Sequence, residues 1–506
     1  MPSLVNKKDS QALGAGVQTP GAAIGEVPRR IDSVSSEPSI LVAIASYGQE
    51  NDAHLQGVLA EFRSMRLRSD LHVLSNLPKD LGPGVTVHVG LPTSNPRSLP
   101  FAHRQLFAEH LDKADYFIYC EDDTLISERN IRAFIEVNAV VNSDEIVGFL
   151  RVENLSPAER YVESAHGPYR WNPSSMVRRG PWMFASFTNH HSACTMASRA
   201  QIQKAIASGG FLVRPHIGRF AMLESAASDL YTQCGMTRMM CVSRIEDFLV
   251  PHLSNGNCRN WGLPYEEFLE QTRAFQEISS SNKWKGSLFN VETHVGRGRW
   301  SKNLYERLNP TLLKTIPQQA QTVLSIGSGW GATEEELARQ GKQVTAVPVD
   351  AVFGDCLRRR GIATKEGTLE QVVLDLQCKR FDVILMQEVL HLVESPVKWL
   401  TMLRPLLSDS GVVLAAMPRT YDPLRIIWYL KGEPMTAYAK DFAHSRVHRV
   451  TQSRLAQWFT DAGMAVKILG SCTTPTRRSL QRKLWGLWSR PLSDSFIVLA
   501  KPGTLL

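Results

Sequence analysis

From residue 39 onward, short β-branched runs alternate with stretches whose apolar residues recur at helical spacing, and this alternation leaves few architectures open. Ser39–Ala45 predicts a first buried strand, Ala53–Arg68 a helix, Leu71–Leu74 and Val85–Val89 two more strands, and Phe101–Leu111 a second helix. Such an order points to an open, mainly parallel sheet whose ligands gather at the carboxyl ends of the strands. The next apolar run, Tyr116–Cys120, ends at such an edge in Glu121, Asp122 and Asp123. Three clustered acids there are costly unless a metal ion or a cationic ligand answers them. The plainer use is a solvated turn ahead of a helix starting near Ser127.

A chain of 506 residues is too long for one hydrophobic core, so two or three domains are expected. A hydrophobic share of 43% with 21% charge is that of a soluble globular protein, and no apolar run nears the roughly 20 residues needed to span a bilayer. Residues 1–37, rich in Gly, Ser and Pro, lack the apolar core of a secretory signal and read as a disordered leader. The eight cysteines are scattered without CxxC spacing, which fits a reducing, cytoplasmic setting. The net charge of +8 is modest, and with no basic stripe interleaved with aromatics a nucleic-acid partner is not expected.

The strand end Ala45-Ser46-Tyr47, the pair His103-Arg104 and the run FIYCEDDTLI together resemble nucleotide-sugar-dependent glycosyltransferases of the GT-A fold, over about residues 38–260. The resemblance implies a divalent metal, Mn or Mg, held by Asp123 against the donor diphosphate, with Glu121 and Asp122 binding or orienting metal and ribose. It implies donor contacts from Ala45, Ser46, Tyr47, Asn76 and Arg104, and a late metal ligand at His252, delivered by the apolar segment Ile245–Asn255. A loop histidine is otherwise merely solvated. Removal of the acceptor proton needs one carboxylate. Glu224 and Asp229, five apart on a predicted helix, cannot both face it; Glu224 is favoured, and exposed helix acids are the bland alternative. The aromatic and polar stretch Trp171–Trp182 with Asn189, His190 and His191 suits a sugar platform or plain core and loop.

Residues 261–289 read as a linker, with the clearest signal at Ile278–Asn282. The basic run Gly296–Leu308 carries Trp300 and Tyr305 at near-helical spacing and leaves open a lid over a second site or an interdomain packing helix. Beyond it, strand Thr322–Ile326 enters a glycine loop, Gly327, Ser328, Gly329, Trp330, Gly331, ahead of a helix at Glu334–Arg339, and glycines there let backbone approach a ligand. Further strands follow at Val344–Val349, Phe381–Met386 and Gly411–Ala416.

VLSIGSGWG, FDVILMQEVLHLVESP and LRPLLSDSGVVLAAMP, in that order, resemble class I S-adenosylmethionine-dependent methyltransferases over about residues 290–506. The resemblance implies that Gly327, Ser328, Gly329, Gly331, Asp350 and Gln387 bind S-adenosylmethionine. Two departures stand out: the family usually has an acid where Ser325 stands and another where Pro348 stands, so Asp350 carries the ribose assignment less directly. A dinucleotide-binding dehydrogenase is the competing use of such a loop. His448 and His391 are the candidate bases for a hydroxyl acceptor, against ordinary structural histidines. Ser493–Ala500 would close the sheet, and the basic, Trp-bearing stretch 477–490 would contact either acceptor or a peripheral membrane face.

The expected fold class is α/β with two Rossmann-like domains, an N-terminal GT-A glycosyltransferase fold at 38–260 and a C-terminal class I methyltransferase fold at 290–506. The expected function is a bifunctional cytoplasmic transferase of polysaccharide biosynthesis. It would move a sugar from a nucleotide sugar to a glycan or glycolipid acceptor and a methyl group from S-adenosylmethionine to a glycan hydroxyl. The alternative is one catalytic domain joined to a glycan-binding or scaffolding module.

Overall fold

The computed structural model describes residues 37–503 apart from 157, 164–170, 173–174, 188–189, 219, 257–261, 281–285, 296–299, 307, 421–440 and 472–494. The expected leader, Asn189 and the stretch 477–490 therefore lie outside the described residues, Glu37 aside.

The N-terminal half opens with β1 (Ile40–Ser46), α1 (Asp52–Ser64), β2 (Ser69–Ser75), β3 (Val85–Val89), α2 (Ala102–Glu109), β4 (Tyr116–Glu121) and α3 (Glu128–Asn138). It continues through β5 (Glu145–Val147), β6 (Leu150–Ser156), β7 (Glu159–Glu163), β8 (Val177–Arg179), β9 (Trp182–Ala185), β10 (Thr195–Ser198), α4 (Arg199–Ala207), α5 (Met222–Thr232), β11 (Thr237–Cys241) and β12 (Leu249–Pro251). Its main sheet has the order β10-β4-β1-β2-β3, parallel except for β10. Every residue of β1 is buried, as a strand covered on both faces requires. Ser127 caps α3 with a reciprocal Ser–Asn box, which fixes where the chain leaves the acidic turn. Two smaller sheets follow, β5-β11-β9-β8 and β12-β6-β7-β13, the last strand being Gly262–Pro264.

The expected linker is a correction. Residues 261–289 carry β13 and the 16-residue helix α6 (Tyr265–Ser280). Apolar residues at helical spacing give α6 a buried face, and Ala274, Phe275 and Ile278 join one core with Trp171 and Phe187 on one side and Val352 and Cys356 on the other. The two halves thus share a core, and residues from 38 onward form one compact unit.

The C-terminal half contains α7 (Pro310–Thr315), β14 (Thr322–Ser328), α8 (Ala332–Arg339), β15 (Gln343–Pro348), α9 (Ala351–Arg359), β16 (Ala363–Thr364), α10 (Leu369–Leu376), β17 (Phe381–Gln387), α11 (Pro396–Leu403), β18 (Leu407–Pro418), α12 (Gln452–Asp461), β19 (Met464–Ser471) and β20 (Ser495–Pro502). The sheet order is β16-β15-β14-β17-β18-β20-β19. It is parallel up to β18, and β20 runs antiparallel to both neighbours. The last strand in sequence therefore does not close the sheet; it lies inside, with β19 at the edge. The segment from Trp300 to Glu306 is irregular, not helical, and lies as a strap across the glycine loop: the Leu304 carbonyl accepts the Trp330 N–H at 2.7 Å.

Candidate functional sites at two strand-end edges

At the end of β1 and β4, Ala45, Tyr47, Glu121, Asp122 and Asp123 line a cavity of about 360 Å³ together with Asn51, Arg97, Leu99 and Leu223. Five residues chosen from sequence thus meet there, because β1 and β4 are parallel neighbours in register with Ala45 beside Glu121. Asn51 and Arg97 were not anticipated; Asn51 sits in the turn before α1 and Arg97 in the six-residue 3-10 helix Pro96–Phe101, both too short to give a periodic signal in sequence.

His252 comes to the same edge from 129 residues away, with Nε2 at 3.0 Å from Asp123 Oδ2. Main-chain pairing places it: Thr124 and His252 form an antiparallel bridge, and the Leu253 N–H donates to the Asp123 carbonyl at 2.7 Å. Asp123 Oδ1 is buried without a hydrogen-bond partner. Burial opposes charge on Asp123, yet the bond and charge of His252, with Ser254 and Arg151, outweigh it and hold the pKa below its ordinary value. For His252 burial again opposes charge, and the carboxylates of Asp123 and Glu153 raise the pKa. Among the described residues no group of three or more His, Cys, Asp or Glu forms a metal cage. Asp123 and His252 would be the protein's share of a divalent site, and the orphaned Oδ1 fits that use.

Asp122 accepts from Asn51 Nδ2 at 2.9 Å, and burial, against that bond, pushes its pKa up to about 6. Its folded value exceeds the ordinary 3.8, so the folded chain binds the extra proton between those values. The stability this proton gives is complete below pH 3.8 and is lost as pH rises through about 6. Asp122→Asn is therefore expected to stabilise the chain at pH 7.5 by about 2 kcal/mol and to change little at pH 3.5, read from denaturation midpoints.

Three assignments move. Arg104 turns into the core, where it bonds Asp229 Oδ2 at 2.8 Å and the carbonyls of Phe211, Ser225 and Ala226. Arg104 is thus no donor contact, and Asp229, 1% exposed, no base. Asn76 accepts the Gly48 N–H at 2.7 Å and holds the loop after β1 without lining the cavity. Glu224 stands in the first turn of α5, one residue beyond the cavity-lining Leu223. Ser46 is buried at the end of β1, and Trp171, expected on a sugar platform, is buried and stacked on Phe187 and Phe275.

In the C-terminal half, Gly327 and Gly331 take φ of +76° and +97°, a conformation that favours glycine. Their faces meet protein. A Cβ at 327 would lie 2.7 Å from Val389, at 329 only 2.3 Å from the Leu304 carbonyl oxygen, and at 331 2.3 Å from Leu357. Close packing of strap and helix, as much as any ligand, demands these glycines. The missing acid at Ser325 is replaced in space: Glu334, 2% exposed on α8, accepts from Ser325 Oγ at 2.6 Å. Asp350 Oδ1 caps α9 by accepting from Val352 and Phe353. Gln387 bonds Thr333 by its side chain and takes Lys302 Nζ on its carbonyl at 2.7 Å.

Sequence reading missed Lys302, Glu306 and Glu388, which the irregular strap and the end of β17 gather at this edge. Glu388 holds a left-handed φ of +53°, unusual for a non-glycine and a mark of functional edges. Burial raises the Glu306 pKa to about 8, with Lys302 pulling it down and Glu388 and Glu334 pushing it up. Acids and a single buried lysine around a glycine loop suit a ligand bearing sulfonium, ammonium and carboxylate groups. His448 donates through Nε2 to the Val393 and Glu394 carbonyls, 2.9 and 3.2 Å away, and His391 Nε2 lies 3.0 Å from the Trp300 carbonyl. A carbonyl can only accept, so each ring carries its proton on Nε2; burial drives the His391 pKa down to about 3.

Residues 297–469 match the family described as a methyltransferase domain. The C-terminal half carries a class I S-adenosylmethionine-dependent methyltransferase domain. Over 178 residues the chain is 26% identical to the ubiquinone biosynthesis O-methyltransferase of Histophilus somni (strain 2336), covering 32% of this chain and 74% of that one. The protein of the same name from Coxiella burnetii (strain RSA 331 / Henzerling II) is 24% identical over 171 residues, 31% of this chain and 70% of the other. Among solved structures, an S-adenosylmethionine-dependent methyltransferase from Archaeoglobus fulgidus covers 38% of this chain and 91% of its own at 16% identity, TM-score 0.30. The plantazolicin methyltransferase BpumL in complex with SAH covers 38% and 79% at 19% identity, TM-score 0.27. These matches lend no support to a glycosyltransferase. No helix among the described residues is long and apolar enough to cross a membrane.

Proposed function

We propose that the chain is a bifunctional transferase of glycan synthesis, a metal-dependent glycosyltransferase in its N-terminal half and an O-methyltransferase acting on a glycan hydroxyl in its C-terminal half. The carrying observation for the first activity is the cavity in which Ala45, Tyr47, Asp122 and Asp123 converge with His252 behind. A cation held by Asp123 and His252 would offset charge developing on a diphosphate leaving group. In the transfer, the acceptor oxygen bonds the anomeric carbon, the bond to the diphosphate oxygen breaks, and Glu224 takes the acceptor proton. The acceptor chemistry of the second activity follows the O-methyltransferase names of the relatives. The sulfonium donor is already activated, so alignment supplies most of the effect.

Calorimetric titration of the intact chain with S-adenosylmethionine, and with UDP, GDP, ADP and CMP in the presence of Mn²⁺, tests both halves. One nucleotide is expected to bind at a site separate from S-adenosylmethionine and to lose its metal-dependent binding in Asp123→Ala. Binding of S-adenosylmethionine alone would leave a methyltransferase attached to a module without donor chemistry.

A further inference from the structure

Strand β6 runs beneath the acidic edge, and its alternate side chains face the cavity residues, as a strand's period of two dictates. Arg151 meets Glu121 at 3.1 Å. Two residues on, Glu153 Oε1 lies 2.5 Å from His252 Nδ1, and Glu153 is buried. The strand register imposes this meeting: the His252 N–H donates to the Val152 carbonyl at 2.8 Å, within the parallel pairing of β6 and β12.

Resting on the metal-dependent reading above, we propose that Glu153 is the positioning residue of the metal site, setting the tautomer and orientation of His252. A carboxylate accepts and does not donate, so Glu153 holds a proton on Nδ1. Nε2 donates in turn to Asp123 Oδ2 at 3.0 Å, so Nε2 is the nitrogen that would give up its proton to a cation held by Asp123 while Glu153 keeps Nδ1 protonated. An imidazole ligates only through an unprotonated nitrogen, and a carboxylate behind it fixes the ring and raises its basicity. Ser254 Oγ lies 2.9 Å from the same Nε2, where it can accept a share of the Nε2 proton and give way to a cation. Buried carboxylates are rare unless paired, and this pairing gives Glu153 its place in the interior. Nothing in its own sequence context, RVENLS, signals the role.

The test uses the full-length chain. Mn²⁺ is titrated by electron paramagnetic resonance with UDP present, and separately with GDP, while S-adenosylmethionine affinity of the same preparations reports that the chain is folded. Glu153→Leu is expected to weaken Mn²⁺ binding about 10–100-fold, with S-adenosylmethionine affinity unchanged. Glu153→Gln, whose amide oxygen still accepts from Nδ1, should fall between wild type and Glu153→Leu. Equal Mn²⁺ affinity in wild type and Glu153→Leu would overturn the positioning role and leave the metal site standing. No Mn²⁺ binding by the wild type would overturn the metal site itself and this inference with it. A measurement needing no variant covers a Glu153→Leu chain that does not fold: in ¹⁵N-histidine-labelled wild type with Mg²⁺ and UDP, His252 should show a protonated Nδ1 and a bare Nε2. The opposite tautomer would refute the inference.

Discussion

Replacing Arg104 with methionine is expected to destabilise the protein by about 3–5 kcal/mol, the cost of stranding a buried partner charge. The guanidinium is 2% exposed and gives four hydrogen bonds, one to Asp229 and three to main-chain carbonyls of 211, 225 and 226. It also lies 4.1 Å from the centre of the Phe101 ring. Without it Asp229 keeps, among the described residues, Thr232 Oγ1 at 2.8 Å and the His216 ring at 3.3 Å. The double variant Arg104→Met, Asp229→Leu should recover much of the loss, because a well-packed apolar pair of similar volume often replaces a buried ion pair at little cost. Urea denaturation of both variants decides the matter. A double variant as unstable as the single would show that the carbonyl contacts, rather than the ion pair, hold α2 to α5.

Gly329→Val is expected to reduce affinity for S-adenosylmethionine about 10–100-fold, equivalent to an overpacking cost of 1–3 kcal/mol. A Cβ there would stand 2.3 Å from the Leu304 carbonyl oxygen. That oxygen belongs to backbone and cannot swing aside like a side-chain tip. The strap around it is anchored by the Lys302 ammonium on the Gln387 carbonyl and by the Asn303 N–H on Glu388 at 2.8 Å. Displacing it therefore disturbs the end of β17 as well as the glycine loop. Gly57→Ala, with nothing within 4 Å of its added Cβ, is the matched control, and calorimetry reads both. Unchanged affinity in Gly329→Val would place the strap outside the donor site.

Coupling between the halves follows from α6. Arg359 meets Glu277 at 2.6 Å, Arg360 meets Glu270 at 3.1 Å, and Tyr305 donates to Gln271 at 2.7 Å. These contacts join the glycine-loop side of the methyltransferase domain to the helix that continues the N-terminal half. Their exposed members contribute little each, and the shared apolar core contributes more.

The sequence by itself determined where strands end. In β1, β4, β14 and β17 a short apolar run must be buried, and the polar or glycine residues that stop it fall at the sheet edge. Local periodicity carries that information, which is why Asp122, Asp123 and the glycine loop were legible. The structure alone decided which charges meet. Arg104 and Asp229 are 125 residues apart, His252 and Glu153 are 99 apart, and Ser325 finds its acid on the following helix rather than in its own strand. It also turned the expected linker into a strand and a packed helix, since the apolar face of α6 is read as structure only once both cores flank it. A buried charge takes whatever partner the packed chain brings within hydrogen-bond reach, and strand register and helix crossing settle that choice, not spacing along the chain.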